Sequence, residues 1–297
     1  MPRARMEILE GVGVHSGIAC RVELSRRAPD DGLGIRFHLP GHPEPMSAAG
    51  LSRLPRRASR ATVLGGDADG LRTPEHLLAA LLFFGGTPLD VRLTAPEVPI
   101  LDGSALPFRE ALARLFPGDA AAPAWREAPC SLAWEQRWPG GYLRARPAPC
   151  LSIDCVLSRG PLREACRVDS PVGAYREILE ARTWIFQREL VAGREAGLLK
   201  GAGPGCGLLL AESEEEHARP EVGGRSGPEG PFPLVSPGRW RGEDEAVRHK
   251  ALDLLGDLAL LGGTLPSLRI EAGNAGHASH HALVDALLAA HPSWPRY

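Results

Sequence analysis

The chain has 297 residues, 43% of them hydrophobic, which is enough for two domains of ordinary size with their own cores. Its formal net charge of −2 gives no electrostatic reason to expect binding to nucleic acid or to an anionic membrane. No apolar stretch approaches the roughly 20 residues of a membrane span. We therefore expect no stable membrane insertion, and no signal peptide, since no apolar run follows the basic N-terminal residues.

The six cysteines form no C-x-x-C pair. Without a predicted signal peptide or membrane span, we expect a reduced, cytoplasmic compartment in which the thiols are buried as small apolar side chains.

The first half of the chain combines strand patterns with two helix patterns. Alternating apolar and polar residues predict its strands, in a hairpin at 7–24 and at 34–39 and 89–95. A helix starts near residue 73, because Thr73 can cap it and Pro74 suits the first helical position. A fixed loop with two prolines and Asp-Gly-Ser leads into a second helix at 108–115.

Glu75 and His76 fall in the first turn of the helix that starts near residue 73. The helix dipole favours the charged form of Glu75, which keeps it a carboxylate able to accept a proton. The alternative is that Glu75 only complements the dipole and that His76 lies on the surface.

The second half begins after an Ala- and Pro-rich segment at 117–129, the best candidate for a domain boundary. Its predicted strands lie at 130–134, 142–146, 151–157, 208–210 and 267–271, and its predicted helices at 170–180, 189–196 and 278–290. Residues 212–243 have the composition of a long surface loop. His280 and His281 are interpreted as helix-surface residues.

The stretch 244–258 is predicted to be a helix that ends at Gly262. His249, Asp253 and Asp257 are spaced i, i+4, i+8, so they share one face. An imidazole and a carboxylate one turn apart can bind one metal ion. Ordinary polar pairs on a solvated face are the alternative.

Both halves follow strands with helices in a similar order. This order predicts an α+β fold of two similar domains, at 1–122 and 130–297, each a sheet with two helices. A single doubly wound sheet would require regular strand–helix alternation, which the pattern lacks.

Six motifs occur in an order that resembles the UDP-3-O-acyl-N-acetylglucosamine deacetylases, zinc enzymes of lipid A biosynthesis. They are GVGVHSG at 11–17, TPEHLLAA at 73–80, VPILDGS at 98–104, ART at 181–183, VRHKALD at 247–253 and GHA at 276–278. The resemblance covers essentially the whole chain. It implies helices packed between two sheets, an active site at the domain junction, and UDP-3-O-acyl-N-acetylglucosamine as substrate.

The resemblance implies that His76, His249 and Asp253 bind Zn²⁺. Three protein ligands leave a fourth position for water, as in catalytic zinc sites. By the same resemblance Glu75 is the general base and His277 the second catalytic histidine, which stabilises the oxyanion and protonates the leaving amine.

The remaining matched positions have supporting roles in the family. Asp257 matches the acid that orients His277, Thr183 the hydroxyl donor to the oxyanion, and Lys250 a substrate-binding lysine. The chain departs from the family at 201–207, which reads GAGPGCG, and at Asn274, where a lysine is common. These departures lie near the acyl passage and the nucleotide site of the family.

Two other functions remain open at the level of sequence. One is a zinc amidase that acts on a different acylated amino-sugar nucleotide, and the other is a non-catalytic metal-binding relative. In each case we expect a cytoplasmic monomer.

Overall fold

The computed structural model describes residues 6–28, 34–47, 50–51, 54–58, 60–65, 70–84, 88–117, 126–160, 162–169, 177–212, 239–262 and 264–294. Its strands are β1 (Met6–Val12), β2 (Ala19–Arg26), β3 (Ile35–His38), β4 (Met46–Ser47), β5 (Arg56–Ala58), β6 (Thr62–Leu64), β7 (Leu71–Arg72), β8 (Leu89–Leu93), β9 (Arg126–Pro129), β10 (Trp134–Trp138), β11 (Gly141–Pro147), β12 (Ser152–Arg159), β13 (Leu162–Asp169), β14 (Trp184–Phe186), β15 (Leu208–Leu210) and β16 (Thr264–Gly273). Its α-helices are α1 (Glu75–Leu81), α2 (Leu106–Leu115), α3 (Gln187–Glu195), α4 (Glu245–Leu258) and α5 (His277–Ala290), and short 3-10 turns follow α1 at Leu82–Phe84 and α4 at Ala259–Leu261.

Two main sheets form from successive parts of the chain. The first has the order β1-β2-β8-β3-β4, and the second has the order β10-β11-β16-β12-β13, with β9 also paired to β16. Most neighbours are antiparallel, but β3 runs parallel to β8, and β12 and β9 both run parallel to β16. The predicted α+β fold class is therefore confirmed. The division at 122–130 stays a prediction, since residues 118–125 lie outside the described part of the chain.

The helices contact one another and both sheets. Helix α1 packs on α4 and α2, while α2 contacts β1 and β2. On the other side α4 contacts β12 and β13, and α5 contacts α4, β10 and β11. One buried cluster joins Leu24 of the first sheet to Ile270 of the second through Leu77 and Leu252 of the helices. The packing of the helices between the two sheets stays a prediction.

Burial explains why the clearest elements form where the pattern predicts them. In β8 the side chains of Leu89, Val91 and Leu93 are buried while Arg92 is exposed, as a strand with one solvated face requires. Helix α4 is buried along almost its whole length, and its 3-10 extension ends at Gly262 in the left-handed conformation, with φ of 72°.

The strand predicted at 130–134 is wrong, and strand β13 was not predicted. The chain instead forms β9 before residue 130 and β10 from Trp134. Strands β10 and β13 lie at the two ends of the second sheet and expose much of their side-chain surface. An exposed edge strand carries many polar residues, so its apolar alternation is weak.

The cap predicted at Thr73 is also wrong. Helix α1 begins after Pro74 without a side-chain cap. Thr73 has a φ of 52°, and its hydroxyl donates to the buried carboxylate of Glu97 instead. Of the helix predicted at 170–180, residues 177–179 are helical and 170–176 lie outside the described residues, as do residues 213–238 of the predicted loop.

The expected burial of the cysteines is confirmed for half of them. All six thiols are free; Cys20, Cys130 and Cys155 are buried, whereas Cys150, Cys166 and Cys206 are half-buried. Within the described ranges, no helix combines the length and apolar character that crossing a membrane requires.

Helices α1 and α4 approach so closely at Gly256 that a side chain does not fit. A Cβ atom there would lie 2.2 Å from the carbonyl oxygen of Glu75. We expect Gly256→Ala to lower the free energy of unfolding by about 1–3 kcal/mol, because the backbone of α1 must shift. Urea unfolding measures this, with Gly203→Ala as the matched control, since nothing lies within 4 Å of a Cβ atom at that position. Equal stability of the two variants would contradict the prediction.

Candidate active site

Residues from both halves of the chain line one cavity of about 890 Å³. From the first half, Glu75 and His76 line it, and from the second half His249, Asp253 and His277 do so. Thr183 and Lys250 also line the cavity, whereas Asp257 lies behind His277. The structure therefore assembles the predicted site residues in one place, although they are spread over some 200 positions of the sequence.

Three buried side chains form a group that could hold a metal ion: His76, His249 and Asp253. Their ligand atoms all lie within 4.8 Å of one another. Oδ1 of Asp253 is 3.2 Å from Nε2 of His249 and 3.9 Å from Nε2 of His76. The two imidazole rings are perpendicular, with centroids 4.9 Å apart. Because all three are buried, the alternative of a solvated polar face on α4 is wrong.

A hydrogen bond fixes the tautomer of His249. Its Nδ1 lies 3.0 Å from the carbonyl oxygen of Ala181, which can only accept. Nδ1 must therefore carry a proton, so Nε2 is the nitrogen that can offer a lone pair to a metal ion. A backbone carbonyl on the far nitrogen is the usual support for a metal-ligating histidine.

The protonation states of this group suit a cation. Burial and the neighbouring His249 lower the pKa of His76 to about 3, so its imidazole is neutral. Burial alone would raise the pKa of Asp253, but the ammonium charge of Lys250 and the nearby imidazole of His249 hold it well below its usual range. Nζ of Lys250 donates to Oδ2 of Asp253 at 2.8 Å. Neutral imidazoles and an ionised carboxylate are the forms that bind metals.

Glu75 and His277 form a second pair beside this group. The carboxylate of Glu75 is 3% exposed, and its Oε1 lies 3.6 Å from Nε2 of His277. Its Oε2 is buried without a hydrogen-bond partner among the described residues. Burial raises the pKa of Glu75 to about 8, despite the opposing charge of His277. Burial would lower the pKa of His277, but the charges of Asp257 and Glu75 raise it to about 10.

Asp257 is the centre of a buried polar cluster. Its Oδ2 accepts from Nδ1 of His277 at 2.8 Å and from Nδ1 of His280 at 2.9 Å. Its Oδ1 accepts from the hydroxyl of Thr62 on β6, and that hydroxyl lies 2.9 Å from Nε2 of His281. The interpretation of His280 and His281 as surface residues is therefore wrong, because they are only 1% and 6% exposed. Helix α5 turns them toward α4 and β6, which its sequence alone does not reveal.

Thr183 is held by its backbone rather than by its side chain. Its N–H donates to the carbonyl of Gly103 at 2.7 Å, and its own carbonyl accepts from Leu208 at 2.7 Å. The first bond ties the start of β14 to the loop at 98–104, which its prolines and Asp-Gly-Ser predict to be fixed, and the second ties it to β15. The ring of Trp184, the next residue, lies 5.9 Å from Nζ of Lys250.

Glu97 was not identified as a site residue, yet it anchors one wall of the cavity. Its carboxylate is 1% exposed and accepts from the backbone N–H groups of His15 and Ser16 at 2.8 and 2.7 Å. It also accepts from Thr73, just before α1. Gly13 leaves no room for a side chain, since a Cβ atom there would lie 2.3 Å from Oε2 of Glu97. The glycines of the hairpin turn were the only sequence signal of this contact.

The departure at Asn274 has a structural role. Asn274 has a φ of 47°, a conformation that asparagine tolerates better than most residues. Its side-chain amide donates to the carbonyl of Gly140 at 2.7 Å, and its side-chain oxygen accepts from the N–H of Ser158 at 2.7 Å. Asn274 therefore joins β12 to the β10–β11 turn at the edge of the cavity.

Comparisons with known proteins identify the family of this chain. The family model for UDP-3-O-acyl N-acetylglycosamine deacetylase matches residues 4–218 and 232–289. Among its relatives, a protein of Myxococcus xanthus (strain DK1622) is 32% identical over 290 residues, covering 95% of this chain and 83% of the relative. A protein of Phenylobacterium zucineum (strain HLK1) is 33% identical over 294 residues, covering 97% and 92%. Both are named UDP-3-O-acyl-N-acetylglucosamine deacetylase. The chain belongs to the UDP-3-O-acyl N-acetylglycosamine deacetylase family.

Proposed function

We propose that this protein is a zinc-dependent hydrolase that converts UDP-3-O-acyl-N-acetylglucosamine to UDP-3-O-acyl-glucosamine and acetate, within lipid A biosynthesis. The observation that carries this proposal is the buried group of His76, His249 and Asp253 beside the pair of Glu75 and His277. The family membership and the names of the relatives support the substrate.

The residues of the buried group fit zinc. Two imidazole nitrogens and one carboxylate oxygen are a donor set typical of catalytic zinc sites, and the Ala181 carbonyl gives His249 the required tautomer. When bound, zinc supplies a Lewis acid that polarises the amide carbonyl and lowers the pKa of water. His76, His249 and Asp253 would hold it.

Glu75 has the surroundings of a general base. Glu75 lines the cavity, and its Oε2 has no hydrogen-bond partner among the described residues, so this oxygen can accept a proton from a water molecule. A pKa raised to about 8 makes it a stronger base than an exposed glutamate. After His277 has given its own proton to the leaving amine, Glu75 can return the water proton to His277, whose Nε2 lies 3.6 Å from Oε1.

His277 is the positively charged partner. Its Nδ1–H donates to Asp257, which leaves Nε2–H directed toward Glu75 and the cavity. An imidazolium there can stabilise the developing oxyanion and donate a proton to the amine. The hydroxyl of Thr183 lines the same cavity and is proposed as a second donor to the oxyanion.

Lys250 is proposed to bind the substrate while its ammonium group contacts Asp253, one of the three proposed metal ligands. Its ammonium contacts Asp253 and lies near the Trp184 ring, so it is held at the cavity wall. Domains at 1–122 and 130–297, a monomeric state and a cytoplasmic location complete the proposal.

Acetate release tests the proposed reaction directly. The purified protein should release acetate from UDP-3-O-acyl-N-acetylglucosamine, lose this activity on chelation and regain it when zinc is returned. Acetate is measured at each stage together with bound metal. A zinc-loaded protein that releases no acetate would disprove the substrate assignment.

Glu75→Gln should separate chemistry from metal binding. The amide cannot accept the proton, so kcat should fall by about 10²–10⁴-fold while bound zinc stays at the wild-type level. His249→Ala is the contrasting variant, because loss of a ligand should remove both zinc and activity. Zinc content is measured by elemental analysis. Normal turnover in Glu75→Gln would remove Glu75 as the base, and full zinc content in His249→Ala would remove that ligand.

The pH dependence of kcat/KM should depend on Asp257. The raised pKa of Glu75, about 8, sets the acid limit, below which the base is protonated. The proton of His277 is retained up to a pKa of about 10, so the alkaline decline should come only as the pH rises toward that value. Asp257→Asn removes the charge that raises this pKa, so the decline should begin at lower pH, nearer the ordinary histidine value of about 6.5. An unchanged alkaline limit would show that His277 does not act as the protonated group.

A further inference from the structure

The Asp257 cluster contains more hydrogen-bond donors than the proposed reaction uses. Asp257 is fully buried on α4 and contacts three residues besides His277: Thr62, His280 and His281. None of these three lines the cavity. A fully buried carboxylate needs hydrogen-bond donors for both of its oxygens. Here the donors come from β6 and α5, so they also fix the direction in which the carboxylate points.

The hydrogen-bond partner of each polar atom in the cluster determines which atoms carry protons. Asp257 is a carboxylate, because its histidine partners hold its pKa well below the usual range in spite of burial. Both Nδ1 atoms bonded to its Oδ2 must therefore carry protons. Burial lowers the pKa of His280, so His280 donates as a neutral imidazole. Thr62 gives its only hydroxyl proton to Oδ1, so its oxygen accepts from Nε2–H of His281.

This arrangement leaves the carboxylate one orientation. Rotation of the Asp257 side chain would break the bond from Thr62 on one oxygen and the bonds from both histidines on the other. His281 restrains Thr62 in turn. As long as Oδ2 stays in place, Nδ1 of His277 is held at 2.8 Å, and its Nε2 stays 3.6 Å from Glu75.

We propose that Thr62 and His280 are positioning residues for the deacetylation, which act through Asp257 to hold His277 in its reactive orientation. The proposal rests on the proposed function, since the reacting group is His277. In this proposal Thr62 donates a hydrogen bond to one carboxylate oxygen of Asp257 and His280 donates to the other. His281 donates to Thr62 and so holds its hydroxyl in place.

A competing interpretation is that Asp257, His277 and His280 hold a metal ion of their own, since their ligand atoms also lie within 4.8 Å of one another. The short distances from Oδ2 to both Nδ1 atoms, 2.8 and 2.9 Å, are those of direct hydrogen bonds. We therefore assign hydrogen bonds, and the experiment includes a count of bound metal.

Thr62→Val and Thr62→Ser form the first test. Valine keeps the shape of threonine but cannot donate, so kcat should fall by about 10- to 100-fold with little change in KM. Serine restores the hydroxyl and should restore most of kcat. Thr94→Val is a control for the chemical change alone, since it removes an exposed hydroxyl that accepts from the backbone N–H of Arg21 outside the cavity. Melting temperature and zinc content are measured for each variant.

His280→Leu and His280→Asn form an independent second test, which remains informative if Thr62→Val does not fold. Leucine removes the donor and should lower kcat, whereas the asparagine amide can replace Nδ1–H and should retain more of it.

The possible outcomes are distinct. Wild-type activity with unchanged kcat in both Thr62→Val and His280→Leu overturns this inference alone. Two metal ions per wild-type chain, with one lost in His280→Leu, overturn the hydrogen-bond assignment. A wild-type protein that releases no acetate overturns the proposed function and this inference with it.

Discussion

The packing of α1 against α4 is the contact on which the rest of the site depends. The two helices meet at Gly256, where the absence of a side chain lets the backbone of Glu75 come close. This approach places His76 of one helix against His249 and Asp253 of the other. A wider separation would move the imidazoles apart and open the buried group to water. Close helix packing is therefore what turns two distant sequence motifs into one group of ligands.

Much of the fold could be predicted from sequence because its main elements are strongly patterned. Strand β8 alternates buried and exposed residues, which gives a clear period of two. Helix α4 is buried on nearly all sides and has no such period, and it is predicted instead by its glycine stop. The edge strands β10 and β13 lack this signal because they contact the core on only part of their surface. Thr73 looked like a cap because local propensity favours it, but Glu97 competes for its hydroxyl from 24 positions away.

The site divides in the same way between what sequence can and cannot show. The family motifs identified every residue that faces the cavity with a proposed role, and the structure brings all of them together. The residues around Asp257 were either not predicted from the sequence or were interpreted wrongly. His280 and His281 follow His277 on one helix, and no local pattern tells which neighbour they face. Thr62 lies 195 positions from Asp257, so only the folded chain shows the contact.

The metal group draws His76 from the first half of the chain and His249 and Asp253 from the second. An ion held by all three would therefore act as a cross-link between the halves, and its binding free energy would be available only when both are folded and docked. Stability and metal concentration then become linked quantities, with the folded state favoured by RT ln(1 + [metal]/Kd). Metal supply would control the integrity of this protein as well as its activity.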